Sequence, residues 1–296
     1  MTFRSLAIVV ILLFPAPAFA NDDVTMWLAQ TIEELRVQLY KGDMSSAQRR
    51  LAAILDEDPT NLEAMWQLTY TQHLSGVKNW SLLDRSENLS QAGPKFEYII
   101  RLARKQGNFA FGHLVKAWQA WLYNAFPQAL DEINQALRLD PNSTRYLMIK
   151  GRILKAKGRW EGESEITRKA VVILKQAHGQ SQTHPTPFYK DENFFFYLGW
   201  TVEAVGQDGW AEAIQHYQQA IQLGQPGSRI QTYSWNNMSI LYRKLGQCQK
   251  AKEAAEEALA ITEFSAAKRN KQYAEFCLEI EEQEDSRALI KTNHKP

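Results

Sequence analysis

Residues Trp235 to Ile261, WNNMSILYRKLGQCQKAKEAAEEALAI, restrict the possible folds of this chain more than any other stretch. Trp235, Met238, Ser239 and Tyr242 recur at the spacing that places residues on one face of a helix. Gly246 interrupts the pattern, and Ala251, Ala255 and Ala258 then mark one face of a second helix. Large, medium, small and large residues set against three small ones describe two antiparallel helices packed closely across a glycine turn. Such a hairpin has no way to bury its apolar face alone, so further hairpins must stack on it. The expected fold is all-α and repetitive.

The pattern resembles the tetratricopeptide repeat, whose 34-residue unit reads W-x2-L-G-x2-Y and then A-x3-F-x2-A. Met238, Ser239 and Ala255 depart mildly from it, the first two keeping the order of sizes. The resemblance implies an α-solenoid of about six helix-turn-helix repeats with a C-terminal capping helix, spanning residues 21–289. Repeat one would run from Trp27 to Pro59, with Ile32, Leu35 and Leu39 before Gly42, and Ala47, Leu51 and Ile54 after it. Repeat two opens with Met65, Leu68, Thr69 and Gln72, but its second helix returns late, at Phe96, Ile100 and Ala103, with Pro94 suited to a helix start. The intervening insert, 77–93, reads as either a packed structural flap or a partner-binding one.

Repeat three, Ala110 to Pro141, carries Ala117 and Ala120, then Ala129, Ile133 and Ala136. Repeat four starts at Thr144, with Leu147, Gly151 and Leu154, a turn at Gly158, and Glu163 where a small residue is expected. Residues 176–193, QAHGQSQTHPTPFYKDEN, show no apolar period and read as a loop. Repeat five takes Phe195, Leu198, Gly199 and Val202, a short insert around Gln207 to Gly209, and then Ala213, Tyr217 and Ala220. After Ser265 an amphipathic capping helix is expected to reach roughly Arg287, with Tyr273, Phe276, Cys277 and Ile280 on one side and acidic residues outward. Residues 290–296 read as a disordered tail.

In this family the first helix of each repeat lines a concave groove. Carrying its groove positions over places Trp66 and Tyr70 from repeat two and Phe111, Leu114, Trp118 and Trp121 from repeat three on the inner wall. Repeat four contributes Arg145, Met148, Arg152 and Lys155, and repeat five Asn193, Phe196, Trp200 and Glu203. Repeat six adds Tyr233, Asn236, Ile240 and Arg243. Two chemistries result, an aromatic half and a cationic patch with asparagines. The peptide-binding set read from this wall is Trp118, Trp121, Arg145, Arg152, Lys155, Asn193, Phe196, Trp200, Asn236 and Arg243. Arginine offers paired donors to a carboxylate and asparagine bonds a peptide backbone at both ends. The aromatics at this spacing serve equally well as packing between repeats.

Lys and Arg number 34 against 33 for Asp and Glu, so no global field draws nucleic acid or an anionic membrane. Motifs for a zinc protease, a serine hydrolase or a phosphate-binding loop are missing from the sequence, and the expectation is a non-enzyme without metal or cofactor. His178 and His184 share the 176–193 stretch but lack the spacing of a metal site. Residues 1–20 read as a signal peptide: Arg4, an apolar run from Leu6 to Phe14, and Ala18-Phe19-Ala20 before the cleavage point. An exported, periplasmic or secreted scaffold that binds a protein or peptide, possessing an acidic or C-terminal carboxylate, is the function expected. The alternative is a structural or regulatory subunit of an envelope enzyme or secretion complex, working through the convex face or the 77–93 insert. In an oxidising compartment Cys248 and Cys277 can form a disulfide joining repeat six to the capping helix; packing as two small buried residues is the other reading.

Overall fold

The computed structural model describes residues 44–76, 82–183 and 191–293. The expected leader 1–20, the first helix of repeat one, the start of the insert and residues 294–296 lie outside them. The described chain forms twelve α-helices: α1 (Met44–Glu57), α2 (Leu62–Gly76), α3 (Leu82–Lys105), α4 (Phe109–Leu122), α5 (Phe126–Leu139), α6 (Thr144–Glu161), α7 (Ser164–Thr183), α8 (Asp191–Glu203), α9 (Trp210–Leu223), α10 (Arg229–Lys244), α11 (Cys248–Ile261) and α12 (Ser265–Asn293).

Each helix packs chiefly on its neighbours in sequence, so α2/α3, α4/α5, α6/α7, α8/α9 and α10/α11 form stacked hairpins. Smaller contacts between alternate helices join α4 to α6, α8 to α10 and α10 to α12. All are first helices of neighbouring repeats. They crowd together on the inside of the curve, and this makes them the wall of the concave face. One small residue per hairpin sets how closely its helices approach. Thr69, Ala117, Gly151, Gly199 and Ser239 occupy this place and all are buried. At Gly151 an added Cβ would stand 2.7 Å from Leu174, and at Gly199 one would stand 3.1 Å from Tyr217 and the Ala213 carbonyl. Ser239 goes further, its Oγ donating to the Ala251 carbonyl at 2.7 Å across the α10/α11 crossing.

Several boundaries differ from the sequence reading. Pro94 stands inside α3, not at a helix start. The later part of the insert is the first half of that helix, and its end is packed: Ala92 is buried and Gly93 faces the Tyr123 hydroxyl. Gly158 is likewise inside α6, where its role is contact. A Cβ there would meet Thr167 Oγ1 at 2.5 Å, and the turn falls at Gly162, with φ +72°. This extra helical turn places Glu163 just ahead of α7, so Thr167 fills the small buried position expected of Glu163.

Residues 176–183, read as loop, continue α7. Thr167, Ala170, Leu174, Ala177 and Ser181 form one buried stripe at helical spacing, the last two too small or polar to register as an apolar period. Residues 184–190 lie outside the described part, and Asp191–Asn193 open α8. The 207–209 insert is a single 3₁₀ turn. α12 is helical through Asn293, into the expected tail, and its orientation reverses the expectation. It lays Ala267 and Ala274 on the solenoid and leaves Tyr273, Phe276 and Ile280 exposed. The alanine face of α11 accepts a close-packed small surface more readily than bulky rings. Cys248 and Cys277 form a disulfide with Cα atoms 5.6 Å apart, and it fastens α12 to the start of α11.

Candidate binding groove

The wall begins with an ion pair between helices of different repeats. Arg145 of α6 donates from Nη1 to Glu63 Oε2 at 2.7 Å and from Nη2 to Glu63 Oε1 at 3.0 Å. Its guanidinium lies 4.5 Å over the Trp66 ring and 5.6 Å over Phe111. A planar fork with five donors suits this arrangement, since it stacks on its face while bonding along its edge. Trp118 extends the aromatic surface, meeting Trp66, Tyr70 and Trp121 edge to face at 5.5, 5.0 and 4.9 Å.

Two helical turns further along α6, Arg152 lies 4.6 Å over Tyr197 and 5.1 Å over both Trp118 and Trp121. It touches rings from α4 and α8 and its charge acts on the Tyr70 phenol of α2, so it stands where three other first helices meet. Burial raises the Tyr70 phenol above its ordinary pKa, and Arg152 partly offsets that rise. Lys155 comes next, buried, with its ammonium on the face of Trp200. Among the described residues its Nζ has no hydrogen-bond partner. Burial drives the amine well below its ordinary pKa; the Glu203 carboxylate opposes this, while Arg159 and Arg152 reinforce it.

The C-terminal part of the wall is a chain of hydrogen bonds. Asn270 of α12 donates to Asn236 Oδ1 at 2.8 Å, and Asn236 donates to Asn237 Oδ1 at 3.4 Å. Asn237 donates to the Tyr217 hydroxyl at 3.1 Å, which donates to Glu203 Oε2 at 2.8 Å. Burial and the Glu203 charge push the Tyr217 phenol well above its usual pKa. Phe196 lies within ring contact of Trp200, Tyr217 and Tyr233.

The structure therefore divides the sequence-derived set. Trp118, Trp121, Arg152, Lys155, Phe196 and Trp200 are brought together at the junction of α4, α6 and α8. Trp118 is buried and Trp121 half-buried, whereas Trp200 is 39% exposed. Asn193 is buried near the start of α8, and Asn236 is occupied by Asn270. The four cations do not make one patch: Arg145 is held by Glu63, and Arg243 lies 5.4 Å over Tyr273 on the capping helix. Lys155 is buried despite its charge because an indole face, in place of a carboxylate, receives its ammonium.

Glu63, Tyr197, Tyr217, Asn237 and Asn270 are absent from the sequence-derived set. Glu63 occupies the same groove position in repeat two as Arg145 does in repeat four, so its signal was present. Tyr197 and Asn237 follow groove positions by one residue, and Tyr217 and Asn270 enter from helices that the groove pattern does not cover.

Residues 204–263 match the family model described as tetratricopeptide repeat. The fold is a tetratricopeptide-repeat solenoid. Solved structures agree at the level of fold. Yeast Tom70 superposes with a TM-score of 0.58 at 14% identity, over 88% of this chain and 50% of that one. The APC/C hetero-tetramer Cut9–Hcn1 gives 0.56 at 15% identity, over 86% and 44%. The chain thus spans about half the length of these structural relatives. No curated protein matches. Among the described residues, no helix is long and apolar enough to cross a membrane.

Proposed function

We propose that this solenoid is a non-catalytic scaffold that takes a segment of a partner protein into its concave groove, across Trp121, Arg152, Phe196 and Trp200. The observation that carries this reading is Arg152: a half-buried guanidinium held against three aromatic rings on the inner wall, with no carboxylate bonded to it among the described residues. Solenoids of this kind present extended concave surfaces for binding, and arginine with tryptophan and tyrosine is the composition of binding hot spots. Helix-turn-helix repeats of this type bind proteins or peptides without performing chemistry, which supports the non-enzymatic reading. The pattern of Arg4, Leu6–Phe14 and Ala18–Ala20 supports a role in the cell envelope or outside the cell.

Photo-crosslinking tests the groove. A benzophenone amino acid replaces Trp200 on the concave wall or Lys169, exposed on the second helix α7, in the full chain within its native host. Crosslinks from position 200 and not 169 are expected. Crosslinks confined to 169 would favour the alternative of a subunit docking a folded partner on the convex face. N-terminal sequencing of the same material checks export, with Asn21 expected as the first residue; Met1 would remove the leader from the argument.

A further inference from the structure

Helix α6 carries three arginines at seven-residue spacing, hence on one face, and two of them, Arg145 and Arg152, each lie on an aromatic seat. Arg145 rests on Trp66 and Phe111, and Arg152 on Trp118, Trp121 and Tyr197. The seats differ in one respect. Arg145 holds the Glu63 carboxylate through two parallel bonds of 2.7 and 3.0 Å, whereas among the described residues no carboxylate bonds Arg152. The first seat is thus a filled copy of the second, built from the same chemistry within the same wall.

We propose that the Arg152 seat takes the side-chain carboxylate of a glutamate in the partner segment, in the pose that Glu63 adopts on Arg145. Its two oxygens would lie along the paired N–H edge while the guanidinium face stays on the rings. The inference rests on the groove reading above and adds to it which partner atom arrives and where. Three features make the seat ready. The rings already hold the guanidinium, so little rotamer freedom is lost on binding. Lys155, one turn on, is buried, and among the described residues its Nζ has no acceptor, so it offers a further unpaired donor beside the seat. Glu203, whose charge acts on Lys155, already accepts from the Tyr217 hydroxyl at 2.8 Å.

The test is selection from a random dodecapeptide library displayed with amidated C-termini, using the full chain, followed by calorimetry on the enriched peptides. The expected result is enrichment of glutamate at one fixed position. Replacing it by glutamine, or making Arg152→Met in the protein, should each weaken binding by about ten- to a hundredfold, and the double change should cost little more than either alone. An unchanged circular-dichroism spectrum and thermal midpoint establish that Arg152→Met is folded. Peptides that are enriched and crosslink to position 200, but carry no fixed glutamate or ignore Arg152→Met, overturn this inference and leave the groove reading standing. Enrichment only in a parallel library with free C-termini assigns the seat to a terminal carboxylate and likewise overturns it. Enriched peptides that fail to crosslink to position 200, or no enrichment in either library, remove the groove reading and this inference with it.

Discussion

Replacing Arg145 by methionine tests whether the wall is built as the geometry indicates. The Glu63 side chain is 9% exposed and both its oxygens are bonded by Arg145, a residue 82 positions away in sequence. Methionine fills much of the arginine stem and keeps a contact to Trp66, so the change isolates the loss of charge and bonds. It strands a buried carboxylate. Removing one partner of a buried pair costs about 3–5 kcal/mol, because the remaining charge has neither water nor counter-ion. At about 2–4 °C per kcal/mol for a fold of this size, the melting temperature should fall by about 6–20 °C. Two companions distinguish the pair from general damage. Glu63→Leu combined with Arg145→Met should recover most of the loss, since an apolar replacement of both partners is close to neutral. Arg152→Met should shift stability by about 1 kcal/mol or less, because it strands no carboxylate. Thermal melts followed by circular dichroism decide the matter. If Arg145→Met lowers stability by under about 1 kcal/mol, Glu63 is hydrated, the pair is no more than a surface contact, and the filled-seat comparison loses its basis.

Three further outcomes are expected. Lys155 holds its proton less tightly in the folded chain than in the unfolded one, so the cost of burying its charge is fully present below its folded pKa and is relieved as pH rises toward 10.5. Stability should therefore climb through that window, and Lys155→Met should flatten the climb and raise stability at neutral pH, as denaturant titrations across pH would read. Among the helical glycines, Gly179→Ala meets nothing within 4 Å and should stabilise by about 0.5–1 kcal/mol through backbone entropy. Gly151→Ala must instead push Leu174 back from 2.7 Å, an overpacking cost of about 1–3 kcal/mol that cancels or exceeds the same gain, so its melting point should lie below that of Gly179→Ala. Thiol titration of the denatured, unreduced protein should find no free cysteine, and reduction should destabilise the C-terminal repeat by about 3–4 kcal/mol for a 29-residue separation.

Much of the architecture was legible because a stacked hairpin needs a recurring order of large and small residues. Gly151, Gly199 and Ser239 stand in the sequence at the place where the structure brings two helices into contact. The Cys248–Cys277 disulfide was one of two readings the sequence left open, and the 5.6 Å approach of the two Cα atoms decides for it. What a glycine or proline does was not legible. Gly158 permits a close contact within a helix and Pro94 sits inside one, because local propensity gives way to the packing around it. The exposure of Tyr273 and Phe276 is of the same kind: periodicity divides a helix into two faces, and only its neighbour decides which face is covered. At the candidate groove the sequence named Arg145 and Arg152 alike, as equivalent cations on one helix face. Their difference depends on Glu63, two repeats away along the chain and 2.7 Å away in space, a proximity set by the curvature of the solenoid and not by any local spacing of residues.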